Sequence, residues 1–300
     1  MTLNKKEKNS VCMIDIDERT AQNIIKSFQI PVKPQILIEI QNVHAKKDPS
    51  LDEFAEVISK DVALSSAVLK IINSPVFGLN RTIINIKQSV VMLGIKNVSN
   101  LASFFLLKNA FAKQGGGAIS HEKYWDTAMQ TANMMTILVD LLDFKIRCPI
   151  ENAYAFGLFR DCGIPLMAMK YPDYRDVLIE ANSSPESVFT SIENTHYQTN
   201  HAIVGYFIAS SWNLPKNLCE LILRHHEADF LGASDISQKK KDLYALVLIS
   251  SNVLSQFLSG KDDSEWYLGR ESVLGYLGLS DIDYEEIEID AKEEFAIKFG

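Results

Sequence analysis

The amino-acid sequence predicts an all-α protein made of two packed helical bundles. Apolar residues recur at three- and four-residue spacings through most of the 300 residues, and few segments alternate with the period of two that strands require. Three consecutive glycines, Gly115–Gly117, separate two sets of helical segments, and glycine favours a loop because it is costly to order. We therefore expect an N-terminal extension over residues 1–27, a helical bundle over 28–114, and a larger bundle with an acidic tail over 115–300.

The first strong helix signal lies near residue 50. Ser50 stands three residues before Glu53, which is the spacing of a capping box. Apolar residues then recur at helical spacing over 54–72. Asp61 falls inside this stretch, and we expect it to end one helix and to cap the next.

The rest of the N-terminal half contains a turn and a helix pair. The segment "NSPVFGLN" (73–80) is typical of a turn because it combines Pro with Gly. Residues 86–111 predict two helices joined at Gly94. Such a pair also occurs in DNA-binding proteins, but this one carries few basic residues, so we expect it to serve packing.

The C-terminal half is predicted to be helical throughout. Ser184-Pro185 is expected to begin one of its helices, because Pro is favoured at the first helical position. The acidic segment "SDIDYEEIEIDAKEEF" (280–295) predicts either a solvated tail or a final amphipathic helix. The other predicted helices cover about 124–143, about 151–170, 201–212, 215–226 and 240–258.

Composition and charge exclude several classes of protein. Apolar residues make up 47% and charged residues 23% of the chain, as in soluble globular proteins. The net charge of −8 makes sequence-independent nucleic-acid binding unfavourable. The longest apolar runs are shorter than a bilayer requires and the N-terminus has no apolar signal region, so we expect a cytoplasmic protein without a membrane span. The cysteines lack paired spacing and are expected to be reduced; they are Cys12, Cys148, Cys162 and Cys219.

One charged pair interrupts an otherwise apolar stretch. Arg160 and Asp161 lie within "AYAFGLFRDCGIPLMAM", residues 153–169. A buried charge is costly unless it is paired or binds a metal. Either Asp161 binds a metal, or the two charges neutralise each other, or the turn is exposed.

Three histidines are candidate partners for Asp161. His201 and His225 fall on apolar faces of predicted helices, and His226 lies about 100° from His225 around the helix axis. Three imidazoles and a carboxylate on separate helices could form a metal site within a bundle. The alternative is that each histidine is a hydrogen-bonded core residue, which is the commoner role of a single histidine on an apolar face.

Several short motifs occur in a fixed order along the chain. They are "IPVKP" (30–34), "ISKDVALSSAVLKIINSPVFGL" (58–79), "IKQSVVMLGIKNVSNL" (86–101), "YWDTAMQTA" (124–132), "AFGLFRDCG" (155–163), "NHAIVGYFIASSWNLP" (200–215) and "ILRHH" (222–226). Together they resemble the HDOD family, the HD-related output domain of bacterial signalling proteins, over roughly residues 28–260. The resemblance implies a C-terminal bundle like that of the HD-domain metal-dependent phosphohydrolases.

The resemblance also implies that the HD site is degenerate. HD enzymes bind metal through an early His, a His-Asp doublet and a later Asp; these positions fall on or beside Thr127, on Arg160-Asp161, and on or beside Asn252. Only Asp161 keeps the expected residue type. Arg has no lone pair for a metal, so Arg160 is expected to pair with Asp161 and to replace the charge of the metal. No cofactor is expected on this interpretation.

The histidines leave an alternative open. His201, His225 and His226 match histidines of the HD-GYP relatives, which cleave cyclic dinucleotides with two or more metals, although no Gly-Tyr-Pro follows here. With Asp161 they could bind a divalent metal ion and support phosphodiesterase activity.

The favoured hypothesis is a non-catalytic regulatory module that binds a signalling protein or a small ligand. The metal-dependent phosphohydrolase is the alternative. A third hypothesis is a nucleotide sensor, with cyclic dinucleotides among its candidate ligands, in which Arg160 and Arg224 form a basic pocket. Otherwise Arg224 is expected on a solvated helix face.

Overall fold

All regular structure is helical in the computed structural model, which describes residues 27–299 and contains no strand in that range. The all-α prediction is therefore confirmed. The predicted extension over 1–27, apart from Ser27, lies outside the described residues, as does Cys12. The remaining cysteines are free thiols, and all are buried: Cys148, Cys162 and Cys219.

Four helices and a short 3-10 turn form the N-terminal part. They are α1 (Gln35–His44), α2 (Leu51–Ser59), α3 (Val62–Ile72), the turn Pro75–Phe77 and α4 (Ile86–Gln114). The Ser50 side chain accepts a hydrogen bond from the Glu53 amide at 3.3 Å, so the predicted cap is present. Asp61 likewise caps α3, since its carboxylate accepts from the Leu64 amide at 2.9 Å.

Helix α4 is broken at the glycine that the sequence marks. Gly94 has φ 79° and ψ 157°, which are not helical values, so α4 consists of two helical pieces. By length and composition alone α4 could cross a membrane, but 67% of its apolar 18-residue stretch is buried inside the protein. Packing in the core therefore accounts for its apolar character.

The C-terminal part is built around α5. Helix α5 packs against α6, α12 and α14. The helices are α5 (His121–Leu141), α6 (Ile150–Phe159), α7 (Ile164–Lys170), α8 (Tyr174–Asn182), α9 (Phe189–Tyr197), α10 (His201–Ser211), α11 (Lys216–Arg224), α12 (Gln238–Ser259), α13 (Ser264–Leu277) and α14 (Asp281–Phe299).

Two predicted boundaries were wrong. The helix expected over 151–170 is two helices, α6 and α7, separated by the turn 160–163. Ser184-Pro185 does not begin a helix: the Ser184 hydroxyl donates to the Glu180 carbonyl at 2.8 Å and closes the end of α8, and α9 begins at Phe189. At the C-terminus the amphipathic alternative is observed, since one face of α14 is buried against the core.

The two parts share one contiguous apolar core and are also joined by hydrogen bonds. The Trp212 indole donates to the Pro31 carbonyl at 2.9 Å, and the Gln41 amide donates to the Trp212 carbonyl at 2.6 Å. Past the three glycines, the Ala118 amide donates to the Ala168 carbonyl at 2.9 Å. The linker is therefore fastened to α7.

Close backbone contact positions the turn between α6 and α7. A Cβ atom placed on Gly163 would lie 2.0 Å from the His201 carbonyl oxygen and 2.6 Å from the Gly205 amide nitrogen. Only glycine fits here, so the turn can lie directly on α10. This contact brings Asp161 next to His201.

Candidate metal centre and cavity

Four side chains converge where the α6–α7 turn meets α10 and α11. Asp161 lies in the turn, His201 begins α10, His225 caps the end of α11 and His226 follows it. One ligand atom from each residue lies within 4.8 Å of those of the other three. The structure thus brings together all four residues that the sequence analysis grouped.

The converging atoms are the Nε2 atoms of the histidines and one oxygen of Asp161. His201 Nε2 lies 2.9 Å from His226 Nε2 and 3.5 Å from His225 Nε2. Asp161 Oδ1 lies 3.2 Å from His225 Nε2 and 3.5 Å from His201 Nε2. The adjacent histidines can face the same point because they lie in a turn, where the 100° separation of a regular helix no longer applies.

Two of the imidazoles are held from behind through Nδ1. His225 Nδ1 lies 2.8 Å from the Ile222 carbonyl oxygen, which can only accept, so this nitrogen carries the proton. His201 Nδ1 lies 2.7 Å from an oxygen of Glu193, a buried carboxylate on α9 that also accepts from the Tyr174 hydroxyl. These contacts direct the Nε2 atoms into the group.

The third imidazole has the same arrangement. His226 Nδ1 is hydrogen-bonded to the carboxylate of Glu265, at the start of α13. Metal-binding histidines usually bond their second nitrogen to a carboxylate or a backbone carbonyl. Glu193 and Glu265 were not identified from the sequence, because neither belongs to a motif and both reach the site from distant helices.

Electrostatics place a single imidazolium in the metal-free group. Burial lowers the pKa of His201, but Glu193 and Asp161 more than offset this and raise it to about 10. Burial and then the neighbouring imidazoles lower the pKa of His225 to about 4 and of His226 to about 3. His201 therefore donates inward through Nε2–H, towards the neutral His226 and Asp161.

Arg160 holds the second oxygen of Asp161. Its Nε atom donates to Asp161 Oδ2 at 2.8 Å and its Nη1 atom donates to the Ser251 hydroxyl at 2.7 Å. The two charged side chains are 17% and 22% exposed. Burial would raise the pKa of Asp161, but Arg160 and the hydrogen bond from His201 hold it well below its usual range. The charges of Arg160 and Asp161 therefore form an ion pair.

The other two positions of the degenerate HD site do not join the group. Thr127 is exposed, and its hydroxyl donates to the Lys123 carbonyl at 2.9 Å. Asn252 is fully buried; its amide donates to the Tyr284 hydroxyl and its oxygen accepts from the Asp263 amide, both at 2.8 Å. Neither residue offers an atom to Asp161 or the histidines.

Arg224 is buried and paired, which the sequence did not predict. It is only 7% exposed, and its guanidinium donates to Glu227 at 2.8 Å and to Asp235 at 2.9 Å. It is neither on a solvated face nor part of the cavity at the histidines. Both expectations for Arg224 were wrong.

A cavity of about 670 Å³ opens beside the group. Its lining includes Arg160, Asp161, His201 and His226 on one side. Helix α5, helix α8 and the linker residues 118–120 provide other parts of its wall. The volume is within the usual range of small-molecule sites.

Comparison with known proteins gives one family and one curated relative. The model of the HDOD domain matches residues 30–228. An uncharacterized protein of Treponema pallidum (strain Nichols) is 26% identical over 246 residues, which is 79% of this chain and 44% of that protein. The chain thus spans less than half the length of this relative.

Solved structures share the fold at low sequence identity. An HDOD domain protein of unknown function from Geobacter sulfurreducens is 20% identical, with a TM-score of 0.63 over 92% of this chain and 93% of that one. A proposed phosphohydrolase from Shewanella amazonensis SB2B is 17% identical, with a TM-score of 0.63 over 93% and 97%. A proposed signal transduction protein from Marinobacter aquaeolei VT8 is 18% identical, with a TM-score of 0.66 over 96% and 66%.

Proposed function

The chain belongs to the HDOD domain family, and from that premise we propose that it is a cytoplasmic regulatory module of bacterial signal transduction. It binds a small ligand or a partner protein and does not hydrolyse a phosphoester. The observation that carries the proposal is the hydrogen-bonded ion pair of Arg160 with Asp161, at the position of the His-Asp doublet of HD enzymes.

The histidines nevertheless fit a metal ion. Three inward-directed Nε2 atoms and one carboxylate oxygen form a donor set that suits zinc, iron or nickel. Each imidazole is fixed by a partner at Nδ1, as metal ligands usually are. We therefore propose one divalent metal ion at Asp161, His201, His225 and His226, which departs from the sequence-based expectation of no cofactor.

A bound ion would supply positive charge for an anionic ligand and would lower the pKa of a bound water. Beside the three imidazoles, this chain would surround the ion with the carboxylate of Asp161 and the permanent positive charge of Arg160. Arg160 engages Asp161 Oδ2 and so occupies the side of Asp161 opposite to the histidines. Its positive charge disfavours a second cation there, and Thr127 and Asn252 provide no ligand for one. A two-metal phosphodiesterase mechanism is therefore disfavoured.

A metal-dependent phosphohydrolase with one ion is the second candidate. The observation in its favour is that the convergent group borders a cavity large enough for a substrate. Its residues would be Asp161 with the three histidines.

Turnover measurements separate the two candidates. The full chain, loaded in turn with zinc, iron and manganese, is assayed with bis-p-nitrophenyl phosphate and with cyclic dinucleotides. The expected rate does not exceed that of Asp161→Ala prepared in the same way. Turnover that disappears in Asp161→Ala would replace the regulatory proposal with the phosphohydrolase.

A further inference from the structure

The carboxylates that line the cavity already have partners within the chain. Asp161 is paired with Arg160 and with His201, and its Oδ1 atom lies 3.2 Å from His225 Nε2. Glu265 is bonded to His226, and Asp263 accepts from the Glu265 amide at 3.0 Å. Asp161 is also the carboxylate of the proposed metal site, so none of the three carboxylates remains to recognise a cationic organic ligand.

The cavity-lining groups without a partner are cations and a hydrogen-bond donor instead of carboxylates. Lys123 on α5 and Arg175 on α8 line the cavity, are exposed, and form no ion pair with any residue in 27–299. The Tyr124 hydroxyl, which belongs to the same wall, is buried and has no hydrogen-bond partner among the described residues. A phenol is protonated at neutral pH and can donate a hydrogen bond. The cavity lining therefore contains two cations and one hydrogen-bond donor that have no partner among the described residues.

Apolar side chains make up another part of the lining. They include Ile164, Leu178 and Leu254. Phe189 also lines the cavity and stacks on His226, with ring centroids 5.5 Å apart and an angle of 16° between the planes. A cavity of this kind fits a ligand body of about one or two rings.

We propose that the cavity binds a small ligand with an oxyanionic head and an apolar body, and that Lys123, Tyr124 and Arg175 seat the head. This inference deepens the proposed regulatory function and rests on it for the role of the cavity. The shared chemistry is that of a phosphate monoester or a carboxylate. Tyr124 contributes a single hydrogen bond, from its hydroxyl to the head.

Binding is tested by calorimetry on the full chain, both metal-loaded and treated with chelator. The probes are phenyl phosphate, benzoate, inorganic phosphate and the neutral benzyl alcohol. We expect phenyl phosphate or benzoate to bind at least tenfold more tightly than benzyl alcohol. The tighter of the two identifies the head as phosphate or carboxylate, and inorganic phosphate should bind more weakly than phenyl phosphate because it lacks the body.

Substitutions test which residues bind the oxyanionic head of the ligand. Tyr124→Phe and Arg175→Gln should each weaken binding of the anionic probe about threefold to tenfold, with little change for benzyl alcohol. Arg147→Gln is the matched control, because Arg147 is exposed and has no ion pair within residues 27–299 but lies outside the cavity lining. Arg175 is exposed, so its variant keeps the test valid even if Tyr124→Phe disturbs folding.

Three results would overturn the inference: no probe binds, benzyl alcohol binds as tightly as the anions, or Arg175→Gln leaves the anion affinity unchanged. The proposed function fails differently. Phosphodiester turnover with intact anion binding would refute the regulatory proposal alone. Absence of metal with intact anion binding would refute only the metal site.

Discussion

Removing one partner of the Arg160–Asp161 ion pair should destabilise the fold, and the burial of the two side chains sets the expected cost. We consider Arg160→Met, which keeps most of the apolar stem, Asp161→Asn, which keeps the shape, and the double variant. Breaking a fully buried ion pair costs about 3–5 kcal/mol. Because these side chains are 17% and 22% exposed, we expect about 2–4 kcal/mol for Arg160→Met.

Urea unfolding measures this cost, in chelator so that metal binding does not contribute. The free energy of unfolding of each variant is compared with that of the unmodified protein, under the condition that its dependence on urea concentration is the same. The double variant completes a double-mutant cycle, which gives the coupling energy between the two residues. We expect a coupling energy of about 1.5–3 kcal/mol between the two residues. A coupling below about 0.5 kcal/mol would mean that the pair is not an interacting unit, and the argument that Arg160 disfavours a second cation beside Asp161 would fail.

Further predictions concern the metal, the joint between the two parts and helix packing. Protein purified without chelator should contain about one transition-metal ion per chain by elemental analysis, and His225→Ala should reduce this at least tenfold; an unchanged content would place the metal elsewhere. Trp212→Phe removes the bond to the Pro31 carbonyl and should lower the free energy of unfolding by about 1–3 kcal/mol, measured in urea; no loss would show that this bond does not join the parts. Gly163→Ala should prevent folding, as judged by circular dichroism, because its Cβ would lie 2.0 Å from a backbone oxygen of α10. Gly275→Ala is the control, since a Cβ placed there has no atom of the described residues within 4 Å, and it should stabilise α13 by up to about 1 kcal/mol.

The sequence predicts local structure best where one side chain sets the geometry. Ser50 and Asp61 cap helices through their own oxygens, and Gly94 breaks α4 because of its own backbone angles. The gap between α6 and α7 was missed although Pro165, near the start of α7, is a helix-start signal. Ser184 was misread because a serine can close one helix as well as cap the next.

The site was predictable only in part. Asp161 stands out because it interrupts an apolar stretch, and His225 because it lies on an apolar helical face. Glu193 and Glu265 have no such contrast, and they matter only because tertiary packing places them behind imidazoles. Arg224 was misjudged because its partners, in the segment after α11, are set by how that segment folds back.

The linker after the three glycines both connects two helices and lines the cavity. Residues 118–120 tie α4 to α5, and the same residues form part of the cavity wall. Gly115, Gly116 and Gly117 all have positive φ, so this tether has a shape that other residues would resist. A molecule that fills the cavity would therefore contact the backbone segment that connects the two parts. Ligand recognition and the connection between the parts would then depend on the same few residues.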